Sequence, residues 1–312
     1  MLNYEKLSRK PTIFKNFTGL EVSEFDTLYT KLEAQNPTFE QKRLARNNRK
    51  NKTGAGHPYK LNLKNRYLLL LLYYRLYVSS TLIGFLFDLG QTNVLKDIRA
   101  LEPAAQAILP LPKKIHDATR RLQTLEEVEK YFPGFKAFID ATEQEIPRPS
   151  QKLKRKTHYS GKKKRHTVKT QLTVNAKGLI IHKTPHARGS RHDYALFKQR
   201  PPCLPKQVGV EVDLGYKGIL GDFPQFHAKI PFKRKSPGRG KRGVKAQELT
   251  PEEKSYNKRL AKARVVVEHT ISRLKKFRIM GEEFRNRLKH YDAMTDIVFG
   301  LINFRITGTT TI

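Results

Sequence analysis

The chain has 312 residues, and 62 Lys and Arg against 28 Asp and Glu leave a formal net charge of +34. That length accommodates about two domains of ~100–200 residues, and 38% hydrophobic with 10% aromatic residues suffices for packed cores, which excludes wholesale disorder. The longest apolar run, Leu68 to Tyr74, falls far short of the ~20 residues a membrane span needs.

Residues 1–10 carry no apolar segment of signal-peptide type. The one cysteine, Cys203, excludes an intrachain disulfide and a Cys-based zinc site. The charge favours a polyanionic partner, because each cation near a phosphate releases a condensed counterion. The expectation is a soluble, intracellular nucleic-acid protein with no membrane partner.

In chain order, Val22, Phe25, Leu28 and Leu32 recur at helical spacing. An acid-free stretch between Glu40 and Asp88 opens with Lys42, Arg43, Arg46, Arg49, Lys50 and Lys52, and Gly54, Gly56 and Pro58 then break the chain. Leu61 to Tyr77 has the length of a buried helix. Ser79 or Ser80 can cap a second helix through Phe87, Asp88-Leu89-Gly90 is a turn, and a third helix over about residues 91–101 carries Thr92, Asn93, Lys96 and Arg99. This is the layout of a helix-turn-helix whose last helix enters the major groove; a generic three-helix bundle gives the same pattern.

The proline-rich residues 103–112 read as a linker. Thr124 and Glu127 make a capping box for a helix that stops at Pro133-Gly134. A strand over 135–142 carries Asp140 at its end. A second acid-free block, between Ile146 and His192, contains Lys163, Lys164 and Arg165. Residues 166–174 and 179–182 form a hairpin around a 175–178 turn. Residues 190–198 read as a short helix capped by Ser190 or Asp193, with Tyr194 and Phe197 packing. A strand over 208–216 carries Asp213 near its end.

A third block holds Lys233, Arg234, Lys235, Arg239, Lys241 and Arg242. Charge runs are commonly solvated loops, but three within patterned sequence point to phosphate contact. Long helices over 251–280 and 291–304 complete an α/β layout with mixed strands. The expected domains are a helical, basic segment (1–60), the helix-turn-helix (61–102), a linker and helix (103–130) and the α/β domain (131–312).

No Gly-Lys-Ser/Thr is present, so a phosphate-cradling nucleotide loop is absent. Tyr194 among His186, Arg188, Arg191 and His192 could suggest a tyrosine nucleophile, but 13 tyrosines and 62 basic residues produce such clusters by chance. The carboxylates are better placed. An acid closing an apolar strand needs a partner for its desolvated charge, although singly Asp140 and Asp213 could each be a solvated strand end or a turn cap. Brought together on neighbouring strands, their repulsion would demand a cation. Hard oxygen ligands favour Mg²⁺ or Mn²⁺ over zinc.

On the long helix, Val267, Ile271 and Leu274 make an apolar stripe. Arg264, Glu268 and Lys275 fall within about 40° of one another beside it. Arg264 and Lys275 could hold phosphates; an i, i+4 salt bridge from Arg264 to Glu268 is equally well spaced.

The ordered motifs IDATEQEIPRP, GSRHDYALF, EVDLGYKGI and ARVVVEHTISRLKKFRIM closely resemble DDE-type transposases of bacterial insertion sequences, a group also related to harbinger transposases. The resemblance covers roughly Leu61 to Phe304. It implies an RNase H-like catalytic domain behind an N-terminal all-α helix-turn-helix, with Asp140, Asp213 and Glu268 as a triad holding two Mg²⁺ or Mn²⁺ ions. It also implies double-stranded DNA partners, namely the element's ends and its target, a homodimer or higher oligomer on DNA, and a place in the bacterial cytoplasm at the nucleoid. In such enzymes water cleaves at the transposon end and the freed 3′-OH attacks target DNA. Glu143 and Glu145 are expected beside the triad rather than in it, and His166 and His269 at phosphates or the surface. Two rivals remain: a sequence-specific regulator with an inert scaffold, and an RNA-binding protein.

Overall fold

The computed structural model describes residues 1–45, 57–234 and 248–310. The chain forms two compact units, one of Met1–Leu111 with Arg273–Ile312 and one of Pro112–Ser272. The expected boundaries differ from this division, because the C-terminal helix joins the N-terminal unit.

The first unit begins with α1 (Tyr4–Ser8), α2 (Pro11–Thr18), α3 (Val22–Leu44), α4 (Leu63–Leu76), α5 (Ser80–Phe87) and α6 (Gln91–Ile108). Every α4 residue from Asn65 to Tyr74 is buried, as befits a helix apolar on all sides. Two of its polar side chains find partners within the unit. Arg66 Nε lies 3.0 Å from Asp97 Oδ1, and the Tyr74 hydroxyl donates to Glu102 at 2.9 Å. Both tie α4 to α6. Asn62 caps α4 by accepting from the Asn65 N–H, and Ser79 caps α5 by accepting from the Leu82 N–H.

The turn between α5 and α6 closes on Gly84, where a Cβ would stand 2.4 Å from the Leu89 carbonyl oxygen. Two expectations change here. The helix expected to end at Leu101 runs to Ile108 through Pro103, so residues 103–108 are not linker. Burial of Leu101, Ala104, Ala105 and Ile108 outweighs the one backbone hydrogen bond the proline removes. The short helix expected around Val22 likewise extends to Leu44 past Pro37. Arg46, Arg49, Lys50, Lys52, Gly54 and Gly56 lie outside the described residues.

The second unit contains α7 (Pro112–Thr119), α8 (Leu125–Tyr131), β1 (Lys136–Glu145), α9 (Lys152–His158), β2 (Tyr159–Ser160), β3 (Arg165–Asn175), β4 (Ile180–Lys183), β5 (Ala187–Arg188), α10 (Asp193–Gln199), β6 (Gly209–Glu211), α11 (Ile219–Asp222) and α12 (Pro251–Lys275). The strands make one mixed sheet in the order β2-β3-β1-β6, with β4 and β5 also on β3. Among these strands of the described residues, β1 and β6 run parallel and the other pairs antiparallel. The unit is therefore α/β, as expected.

The hairpin turn is set by Asn175, whose Oδ1 accepts from the Lys177 and Leu179 N–H groups at 2.9 Å each. The Thr124–Glu127 capping box forms at α8. At α10 the cap is neither Ser190 nor Asp193 but His192, whose ring nitrogen accepts from the Tyr194 N–H.

The chain returns to the first unit at Arg273, in the last turn of α12, and continues with α13 (Arg278–Gly281) and α14 (Tyr291–Thr307). The expected 251–280 helix thus breaks after Lys275, whose carbonyl lies 2.5 Å from where a Gly281 Cβ would be. Among the described residues no helix is long and apolar enough to cross a membrane.

Candidate active site

β1 pairs with β3 from Ala137 to Glu145, but with β6 only from Lys136 to Phe138. Asp140 is therefore mid-strand, not at a strand end. The strand continues because Thr142 and Gln144, polar as they are, become buried while pairing with Thr170 and Val168. The β1–β6 register sets Phe138 beside Glu211. Asp140 and Asp213 each follow two residues after that last pair, past the end of the β6 ladder, and the Asp213 charge reaches Asp140. The neighbours Ile139 and Val212 enter the core with Phe197, Tyr216 and Ile219, and each is followed by one of the aspartates.

Each carboxylate has a local hydrogen bond. Asp140 Oδ1 accepts from the Ala141 N–H at 2.8 Å. Asp213 Oδ1 accepts from the Gly215 N–H at 2.9 Å, capping the turn at Leu214–Tyr216. Burial pushes the Asp140 carboxyl above its ordinary range; Asp213 and Asp193 push the same way, against the Ala141 bond and the Arg264 charge. Burial likewise raises Tyr216 well above its usual value, with Asp193, Asp140 and Asp213 adding to it. Three aspartates thus act on one buried tyrosine.

On α12 the buried side is Leu260, Val267, Thr270 and Leu274, with Ile271 only half-buried. Thr270 replaces Ile271 in the expected stripe because its hydroxyl is satisfied by the Val266 and Gly178 carbonyls. Arg264 is half-buried, its Nε is buried without a hydrogen-bond partner, and its charge reaches Asp140. Glu268, one turn later, is exposed, not at the margin of the buried face. No ion pair links it to Arg264.

Asp140 and Asp213 fit a hard cation, since both offer oxygen donors and the repulsion of Asp213 on Asp140 is one a cation relieves. Among the described residues no three His, Cys, Asp or Glu side chains gather as a ready ligand set.

The remaining expected contacts are all at the surface. Thr92, Asn93, Lys96 and Arg99 are exposed on α6, Lys163, Lys164 and Arg165 are exposed where the chain enters β3, and Arg234 and Lys275 are exposed. Lys235, Arg239, Lys241 and Arg242 lie outside the described residues. Glu145 and His269 are exposed, and His166 is half-buried with its ring against Tyr159. Tyr194 donates to Asp222 and stacks on Phe197, a packing role.

The sequence reading missed Lys169. Its ammonium lies 3.3 Å from Glu143 and 2.7 Å from Asp193, and it donates to the Arg191 carbonyl at 2.7 Å. The available signal was a lysine in an alternating strand directly opposite an acid.

Residues 139–303, just over half of the chain, match the family described as DDE superfamily endonuclease. A probable transposase for insertion sequence element IS702, from Microchaete diplosiphon, is 29% identical over 257 residues, which span 82% of this chain and 86% of that one. No solved structure matches significantly.

Proposed function

We propose, for a chain that belongs to the DDE superfamily of endonucleases, the function of an insertion-sequence transposase. It binds the terminal inverted repeats of its element, cleaves the DNA there and joins the freed end to target DNA. The observation that carries this reading is that Asp140 and Asp213 follow two paired parallel strands at the same interval, with the Asp213 charge acting on Asp140. The resemblance to the IS702 protein over most of the chain supports it.

The family generally uses divalent metal ions. Asp140, Asp213 and Glu268 are the residues that would hold them, as Mg²⁺ or Mn²⁺ and as two ions. When bound, such ions activate the attacking oxygen and stabilise the leaving oxygen of an in-line displacement. The chain's own groups do the positioning. The paired β1 and β6 lead into the two aspartates, and Glu268 would supply the third carboxylate from α12. Arg264, whose charge reaches Asp140, can use its guanidinium to hold the scissile phosphate in line. The mixed sheet with α12 is then an RNase H-like catalytic domain.

α4, α5 and α6 are read as the helix-turn-helix, with Thr92, Asn93, Lys96 and Arg99 at base edges. Lys163, Lys164, Arg165, Arg234 and Lys275 then meet phosphates, which position the protein without reading sequence. Action at two ends calls for a dimer or higher oligomer.

The test is nicking of a duplex that carries the element's inverted repeat. Nicking that needs Mg²⁺ or Mn²⁺ and stops with chelator is expected. Tight, specific binding with no nicking in either metal would contradict the reading and favour a regulator.

A further inference from the structure

The first unit contains a cavity of about 530 Å³ that neither the recognition helix nor the carboxylates use. Lys15, Arg75, Arg273, Lys276 and Arg305 line it, with Phe277 in its wall, and no acidic side chain faces it. Two of these cations are answered from outside the cavity: Lys15 pairs with Glu21, and Arg305 lies 3.7 Å from Glu24. Among the described residues, no ion pair joins Arg75, Arg273 or Lys276 to a carboxylate.

Arg75 is the most constrained of them. It is half-buried, its Nε donates to the Asn16 carbonyl at 3.2 Å, and its guanidinium lies 5.2 Å from the Phe277 ring centroid. Burial first, and then the charges of Arg305 and Arg278, push it down from its ordinary value. Repulsion among like charges in a concave, partly dry site is costly unless an anion joins them.

The wall also says what the anion carries. Phe277 is buried, with Arg75 over it and Gly19 so near that a Cβ there would lie 2.7 Å from the ring. No open aromatic face is left for a base to stack on. Guanidinium forks match phosphate oxygens in pairs.

We infer that this cavity, built by α2, α4, α14 and the segment from Arg273 to Phe277, is a sequence-independent phosphate site that takes the sugar–phosphate backbone of DNA. The inference rests on the reading of the chain as a DNA transposase and adds a second place where the helical unit grips a strand. It separates two tasks within that unit: α6 discriminates, and the cavity holds.

Arg273→Gln with Lys276→Gln is the variant of choice, because both side chains are exposed and their loss spares the core. Binding of the full chain to random-sequence duplex is measured across a salt series. Loss of two phosphate contacts is expected to lower the log–log salt slope by about 1.8 and to leave the preference for element ends over random duplex unchanged. Acetylation of Lys276, followed by mass spectrometry, supplies the second readout. Random duplex should slow it at least tenfold, and inorganic pyrophosphate at the same phosphate concentration should slow it less.

An unchanged slope with unprotected Lys276, in a protein that still binds element ends, would overturn the cavity assignment and leave the transposase reading standing. Protection by pyrophosphate but not by duplex would overturn the DNA assignment in favour of a small polyphosphate. A wild-type chain that binds no DNA at all would sink both readings.

Discussion

Lys169 stands directly opposite Glu143 across the β1–β3 ladder, and its ammonium is shared between that carboxylate at 3.3 Å and Asp193 at 2.7 Å. Its side chain is 7% exposed and that of Glu143 is 9% exposed. Burial raises the Glu143 carboxyl, but hydrogen bonds from Ser160 and Thr167 and the Lys169 charge outweigh it and hold the group below its usual value.

Removing one member of a buried ion pair leaves the other charged and uncompensated, at a cost of about 3–5 kcal/mol. Lys169→Met should therefore destabilise by an amount in that range, read as a fall in the denaturant midpoint. Pairing it with Glu143→Gln should restore part of the loss, and an additive double variant would show that the two do not interact.

Gly84→Ala sets two effects against each other. Alanine gains up to about 1 kcal/mol of helix propensity over glycine, whereas forcing an atom to 2.4 Å from the Leu89 carbonyl costs about 1–3 kcal/mol of overpacking. The clash should win. A lowered melting temperature with weakened binding to element ends is expected, because the same turn orients α6.

His182 gives the pH dependence a sign. Burial first, then the charges of His116, Arg200 and Lys183, lower it to about 4, and its Nδ1 is buried without a partner. The folded state favours the neutral ring, so its stability contribution is full above an unfolded value of about 6.5 and is lost as pH falls from there toward 4. The loss is on the order of 3 kcal/mol. Urea unfolding of wild type and His182→Gln between pH 7.5 and about 4.5 should show a shallower acid decline in the variant; parallel curves would contradict this assignment.

On α6, replacing Lys96 and Arg99 with alanine should reduce affinity for element ends far more than affinity for random duplex. Each base contact contributes about 1–3 kcal/mol of discrimination. Equal losses on both duplexes would make these residues phosphate contacts only.

The elements legible in the sequence are those with local signatures. The apolar length of Leu61 to Tyr77 marks α4, Ser79 before an apolar run marks α5, and Thr124 with Glu127 marks α8. Asn175 with Gly178 marks the hairpin. What stayed hidden depends on partners distant in sequence. Residues 103–108 look like a linker until α14 and α4 cover α6, and Asp140 looks like a strand end until β3 is seen to bury Thr142 and Gln144.

The same holds for the candidate site. Asp140 and Asp213 stand out as acids after apolar residues, yet the charge of one reaches the other only through a parallel pairing of β1 and β6 that no local pattern encodes. Asp193 reads as a helix cap, and its place near Asp140 and Tyr216 emerges only when α10 folds over the sheet. Glu268 was expected at the helix margin and is exposed, because helical spacing fixes its angle on α12 but not the depth to which α12 sinks.

The central claim is that Asp140, Asp213 and Glu268 hold the metal that cuts DNA. Its most direct measurement is Mg²⁺-dependent nicking of an inverted-repeat duplex by Asp140→Asn, Asp213→Asn and Glu268→Gln, with binding to the same duplex measured alongside. Near-isosteric amides keep the shape and remove the charge, so each variant should bind the duplex much as wild type does and fail to nick it. Substantial nicking by any one of the three would contradict the triad.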